Sequence, residues 1–282
     1  MLALTLGVHG VLGHPLGPWH IAPLRRILYL DWETDARAHR ERLYGLTCGL
    51  EAPPADAILY RRLFRPLTDD LSTVRADADR HHADLVICDS LAPACGLEPE
   101  GADAAVRTLM ALRALPGTKL VIAHVSKAQA DQARGARPFG SVHVQNLARS
   151  VLEVRRRVGG PEDSETLITV HHRKSNHGRL AGSVGLAFAF DDLTGGITVR
   201  RASADTSGAP LPAQILEALR SGKKDASELA EETDSSVQSV RSALNRLAEK
   251  HKVIRLESVS GGRGKKQLWG LELETDSSEH GN

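Results

Sequence analysis

Ala83-Asp84-Leu85-Val86-Ile87-Cys88-Asp89-Ser90 decides the fold. Four apolar residues stand in a row between carboxylates, a run of strand length with no polar alternation. Such a run is covered on both faces, as in a parallel sheet with helices on either side. Two further runs share the build: Arg26-Ile27-Leu28-Tyr29-Leu30-Asp31 before it, and Thr118-Lys119-Leu120-Val121-Ile122-Ala123-His124 after it. Helical stretches separate them, 35–45 with an Arg/His/Glu surface and 101–115 with apolar Ala105, Leu109 and Leu112. Strand alternating with helix predicts an α/β fold with a mostly parallel, doubly wound sheet.

Downstream the pattern changes. A short helix is expected over 141–150, then strands at 151–158, 166–172, 185–190 and 197–201, antiparallel to one another. Arg201-Ala202-Ser203-Ala204-Asp205-Thr206-Ser207-Gly208-Ala209-Pro210 is small and polar, a linker. Beyond it three helices are expected at 211–220, 226–232 (capped by Asp225) and 236–250, the last with apolar Val240, Leu244 and Leu247. Strands at 253–256 and 267–271 flank the basic tip Ser260-Gly261-Gly262-Arg263-Gly264-Lys265-Lys266. Three helices and a glycine-rich basic hairpin predict a winged helix-turn-helix. The expected domains are therefore a core over 1–201, a linker over 202–210, the winged helix over 211–272 and a polar tail over 273–282.

Bulk composition narrows the classes. Among 282 residues, formal charge is +1, so any polyanion site is a local patch rather than a global field. The three cysteines, Cys48, Cys88 and Cys95, show no CxxC spacing, which argues against a zinc site or a disulfide framework and fits a reducing cytoplasm. No apolar stretch is long enough to span a bilayer, and residues 1–10 lack the basic region and cleavage site of a signal peptide.

Chemistry concentrates where the three strands end. In open α/β sheets ligands bind outside the carboxyl ends of the strands. Here those ends carry Asp31-Trp32-Glu33, Asp89-Ser90 and His124. An apolar strand delivering Asp89 suits the magnesium shell of a bound nucleotide, with Ser90 beside it. Glu33 can orient and deprotonate an attacking water, and His124 can hydrogen-bond a terminal phosphate.

Taken together, residues 27–33, 84–90, 120–127, Arg137-Pro138-Phe139-Gly140-Ser141 and His172-Arg173-Lys174-Ser175-Asn176-His177-Gly178 resemble the RepA-type hexameric helicase branch of RecA-like P-loop ATPases. The resemblance spans roughly residues 1 to 200. It implies ATP and magnesium as cofactors, Glu33 as catalytic base, Asp89 as the Walker B carboxylate and His124 as a sensor. It also implies a homo-oligomeric ring in which Arg173 or Lys174 reaches the neighbouring subunit's nucleotide. Residues 126–139 then stand where such proteins hold a loop for single-stranded DNA, with Lys127, Arg134 and Arg137 as phosphate contacts.

One part of that pattern is missing. A P-loop needs Gly-x-x-x-x-Gly-Lys-Ser/Thr after a strand and opening a helix, so that backbone amides and the lysine surround the phosphates. No such string occurs in the sequence; Gly96 to Gly101 has the glycine spacing but continues Ala102-Asp103. Residues 1–10 resemble the remainder of the helix that follows a P-loop. The sequence is expected to lack the family's first strand and to bind nucleotide weakly, through a misplaced start or a truncated copy.

The third C-terminal helix is expected to expose Gln238, Arg241 and Asn245, side chains suited to the edges of bases in duplex DNA. Arg263, Lys265 and Lys266 at the hairpin tip suit phosphates. The competing expectation is a protein-binding winged helix, favoured by acidic Glu228, Glu231, Glu232 and Asp234 before that helix. The function expected is an ATPase of DNA replication or plasmid or phage maintenance. The alternative is a non-catalytic, DNA-binding adaptor on the same core.

Overall fold

The computed structural model describes residues 1–48, 50, 52–54, 56–96, 102–125, 142–157, 165–204, 211–256, 259–261 and 264–272. The chain divides into two compact units, Met1–Ala204 and Asp205–Asn282.

The first unit holds a parallel sheet of β1 (Ile27–Asp31), β2 (Ile58–Arg62), β3 (Leu85–Asp89) and β4 (Thr118–Ile122), in the order β2-β1-β3-β4. Alternation within the apolar runs sorts side chains onto two faces. Leu28, Leu30, Val86 and Cys88 pack on one face against α3 (Leu67–Arg80), Ala94 of α4 (Leu91–Cys95) and α5 (Ala102–Ala114). Ile27, Tyr29, Leu85 and Ile87 pack on the other against α1 (Leu2–Leu12) and Leu46 of α2 (Ala36–Thr47). Both faces are covered, so the runs carry no polar alternation. Each fully buried aliphatic side chain contributes about 1.5–3 kcal/mol. β2 and α3 carry no apolar run of the kind that marks β1, β3 and β4 in the sequence. β2 is an edge strand, half-buried throughout and ending Arg61-Arg62, so its apolar signal is weak.

Local chemistry fixes the connections. Asp35 caps α2 by accepting from the backbone amides of Arg37 and Ala38 at 2.9 Å each. Between α5 and β4, Gly117 sits at φ +72°, where a Cβ would lie 2.3 Å from the Ala83 carbonyl oxygen. Only glycine fits that turn.

After α6 (Val142–Leu147) comes an antiparallel sheet of β5 (Ser150–Arg156), β6 (Glu165–Ser175), β7 (Val184–Phe190) and β8 (Ile197–Ala202), in chain order. The expected strands are therefore present, as a separate sheet. Ile168, Val170, Val184, Leu186 and Phe188 form its packed face with Leu16, against Leu2 and Leu6 of α1 and Trp19 and Ile21 after it. α1 thus lies between two sheets, which explains why it is apolar nearly all round.

In the second unit, α7 (Leu211–Ala218) and a 3-10 turn (Leu219–Ser221) lead to β9 (Lys224–Asp225), α8 (Ala226–Glu232) and α9 (Val237–Glu249). Asp225 and Glu228 form a capping box on α8. Then follow β10 (Val253–Arg255), a hairpin of β11 (Val259–Gly261) and β12 (Gly264–Lys266), and β13 (Leu268–Leu271). β13 pairs antiparallel with both β10 and β9. Ile215, Leu219, Leu229, Val240, Leu244, Leu247, Val253 and Trp269 form its core.

Candidate active site

Asp31 and Asp89 stand opposite each other in register at the ends of β1 and β3. Asp31 is 1% exposed, yet all its partners are polar. Its Oδ1 accepts from the backbone N–H groups of Glu33 (2.8 Å) and Thr34 (2.9 Å). Its Oδ2 accepts from the hydroxyls of Thr34 (2.5 Å) and Tyr60 (3.1 Å). Burial pushes the Asp31 carboxyl up, but the hydrogen bonds from Thr34, Glu33 and Tyr60 outweigh it and hold it below the usual carboxylate range. Asp31 is a positioning residue: it folds the chain into the turn that carries Glu33.

The strand ends are laced together. The Trp32 amide donates to the Asp89 carbonyl at 2.8 Å, and the Leu63 amide to the Asp31 carbonyl at 2.9 Å. Trp32 Nε1 donates to the Arg65 carbonyl at 2.8 Å. On this frame three sequence-predicted residues meet. The Ser90 hydroxyl donates to Oε1 of Glu33, and His124 Nε2 lies 3.1 Å from that same oxygen. A carboxylate only accepts, so the imidazole proton sits on Nε2. The side chains of Glu33 and His124 are 40% and 63% exposed, so the carboxylate is open to a ligand from solvent.

Asp89 lies beside this group and accepts from the Tyr29 hydroxyl at 2.5 Å. Burial, then the bond to Asp89, push the Tyr29 phenol far above its ordinary value. Burial and the Asp31 charge push Tyr60 up to about 12. His39 fills the space between these rings, with centroids 4.7 Å from Tyr29 and 4.5 Å from Tyr60. It is 4% exposed, and burial lowers its pKa to about 4, so it is neutral. Its Nε2 has no hydrogen-bond partner among the described residues. Asp31 stands out in the sequence as a strand-end residue without a role of its own, and Tyr29, Tyr60 and His39 were not singled out. The available signal was Asp31 three residues before Thr34, the spacing of an Asx-type turn.

A carboxylate held by a hydroxyl and an imidazole can orient a water and take its proton. Asp89, with Ser90 next to it, can face the hydration shell of a divalent cation. Among the described residues no group of three or more His, Cys, Asp or Glu is placed to hold a metal by itself. These residues fit magnesium and water. Arg62 is directed at Asp31, 3.5 Å away. The string Gly-x-x-x-x-Gly-Lys-Ser/Thr does not occur in the sequence. No step through ATP follows from this set.

The other predicted residues lie apart. Arg173, near the end of β6, pairs with Glu153, which also accepts from Arg155 at 2.8 Å. Lys174 Nζ donates to the carbonyls of Gln145 (2.8 Å), Asn146 (2.9 Å) and Ala148 (2.7 Å), closing the C-terminal end of α6. Gln238, Arg241 and Asn245 are exposed on α9. Lys127, Arg134, Arg137 and Arg263 lie outside the described residues, as do the side chains of Lys265 and Lys266. A separate cavity opens at the opposite ends of the strands, lined by Arg25, Arg26, Asp56 and His82. There Arg26 pairs with Asp56 and Arg25 with Asp84. Among the described residues, no helix is long and apolar enough to cross a membrane.

Residues 1–130 match the model of a family described as an AAA domain. The matched span carries α1, all four parallel strands and the Glu33, Ser90 and His124 group, and it supports the ATPase-family reading of this sheet. No curated protein is matched. Among solved structures, the chain is similar to a KaiC-like protein from the hyperthermophilic archaeon Pyrococcus horikoshii OT3. The two are 14% identical over 62% of this chain and 75% of that one, with a TM-score of 0.44.

Proposed function

We propose that this chain is a RecA-like ATPase-family protein of DNA replication or of plasmid or phage maintenance, resembling RepA-type helicases. The observation that carries this is the meeting of Ser90 and His124 on one oxygen of Glu33, from the ends of three different strands. Residues this distant in sequence converge on a solvent-open carboxylate where phosphate chemistry needs a base. The protein works as a homo-oligomer, with Arg173 serving the neighbouring subunit's site. Lys174 holds α6 and serves it only indirectly. The second unit is a winged helix that binds duplex DNA through α9 and its hairpin.

The absent P-loop string favours a second reading, a non-catalytic DNA-binding adaptor on the same core. One experiment separates the two. ATP hydrolysis is measured for the 282-residue chain, and for a chain extended at its N-terminus by the strand and P-loop of a family member. Without the extension, turnover is absent. With it, turnover appears and Glu33→Gln abolishes it. An extended chain that stays inactive with nucleotide and DNA present leaves the adaptor.

A further inference from the structure

The side chain of Asn245 on α9 does not stand alone on the exposed helix face. Arg255, at the end of β10, donates from its guanidinium to Asn245 Oδ1 at 2.7 Å. The same guanidinium lies over the Trp269 ring, 5.1 Å from the centroid. Trp269 is 5% exposed and is the register partner of Arg255 across the β10–β13 pair. A buried indole thus fixes the guanidinium plane, and the guanidinium fixes the carboxamide. Arginine only donates, so the atom facing it must be the amide oxygen. Asn245 therefore turns its NH2 group away from Arg255.

We infer that Arg255 sets the base preference of α9 by holding Asn245 as a donor, and that this pair selects guanine where a free asparagine selects adenine. This rests on the duplex-DNA reading of the second unit. An unconstrained asparagine reads adenine with both amide atoms, accepting from N6 and donating to N7. Here the oxygen is engaged and the neighbouring guanidinium adds only further donors. A cluster of donors matches guanine, whose major-groove edge presents two acceptors, O6 and N7. Arg255 is thus a positioning residue for readout, and Asn245 the group that touches the base.

The test uses the full chain and a pool of duplexes with a randomised central segment. The wild type should enrich a motif with a guanine at the position that Asn245→Ala leaves without preference. Arg255→Met keeps an unbranched stem on Trp269 and removes every donor. It should turn that same position toward adenine, a swing of about tenfold in relative affinity, since a bidentate pair discriminates by about 1–3 kcal/mol. Arg255→Lys, which keeps the charge, should restore part of the guanine preference. A role confined to structure would lower affinity evenly and leave the motif alone. An unchanged motif in Arg255→Met, with affinity kept or lost, overturns the inference while the DNA reading stands. A wild-type chain that retains no duplex at low salt overturns the DNA reading itself.

Discussion

Ser90 donates its hydroxyl to Glu33 across 57 positions of sequence, from a wholly buried position to a carboxylate open to solvent. The contact ties the end of β3 to the turn after β1. Ser90→Ala should therefore cost stability as well as geometry, about 1 kcal/mol for one charge-assisted hydrogen bond at a half-exposed acceptor. Glu33→Gln should cost less, because an amide oxygen still accepts the hydroxyl. Denaturant midpoints of the two variants and the wild type check this, and a Ser90→Ala midpoint equal to that of the wild type would mean the contact carries no energy.

Asp31 gives a pH signature. Its folded carboxyl lies below the value of an unfolded aspartate, so its stabilisation is present above about pH 4 and is lost as pH falls through the folded value. Asp31→Asn should cost about 1–3 kcal/mol at pH 7: its one oxygen can stay on the Glu33 and Thr34 amides, but the Thr34 and Tyr60 hydroxyls lose their charged acceptor. The gap between wild type and variant should narrow on acidification. Urea unfolding at pH 7 and pH 3 measures it; a gap that widens in acid would be the wrong sign.

His39 predicts the opposite kind of substitution. Its Nε2 is buried without a hydrogen-bond partner, and the ring lies between two tyrosines. Phenylalanine keeps the ring packing and removes the orphaned nitrogen, so His39→Phe should be neutral or stabilising by about 1 kcal/mol near neutral pH. The folded pKa of about 4 lies below that of an unfolded histidine. The wild type thus loses stability progressively from about pH 6.5 down to 4, by roughly 2–3 kcal/mol, and the variant should lack this loss. Thermal melts across that range decide it.

Lys174 tests the role of β6. Three carbonyls at the end of α6 depend on its ammonium, so Lys174→Met should lower stability by about 1–2 kcal/mol. Arg173→Ala should cost less, since Glu153 keeps its bond from Arg155. Amide exchange over 142–148 should accelerate in the lysine variant alone.

The parallel sheet was legible because burial on both faces leaves an unbroken apolar run, a signal that needs no partner to be read. β2 was missed because it is an edge strand whose last residues answer to Asp77 and Asp31 instead of the core. Glu33, Asp89 and His124 were legible by position, at the ends of readable strands. The tyrosines and His39 were not, because a buried polar network looks in sequence like scattered aromatic residues. The contact between Arg255 and Asn245 was equally hidden: the two stand on a helix and a strand whose register sequence does not give.

α1 has a consequence for how the first unit comes apart. Ala3, Leu4 and Val8 belong to the core of the parallel sheet, while Leu2 and Leu6 reach the core of the antiparallel one. Neither sheet can shed the helix without exposing the other's apolar face to water. The two sheets are therefore one cooperative folding unit, and their protection from amide exchange should rise and collapse together.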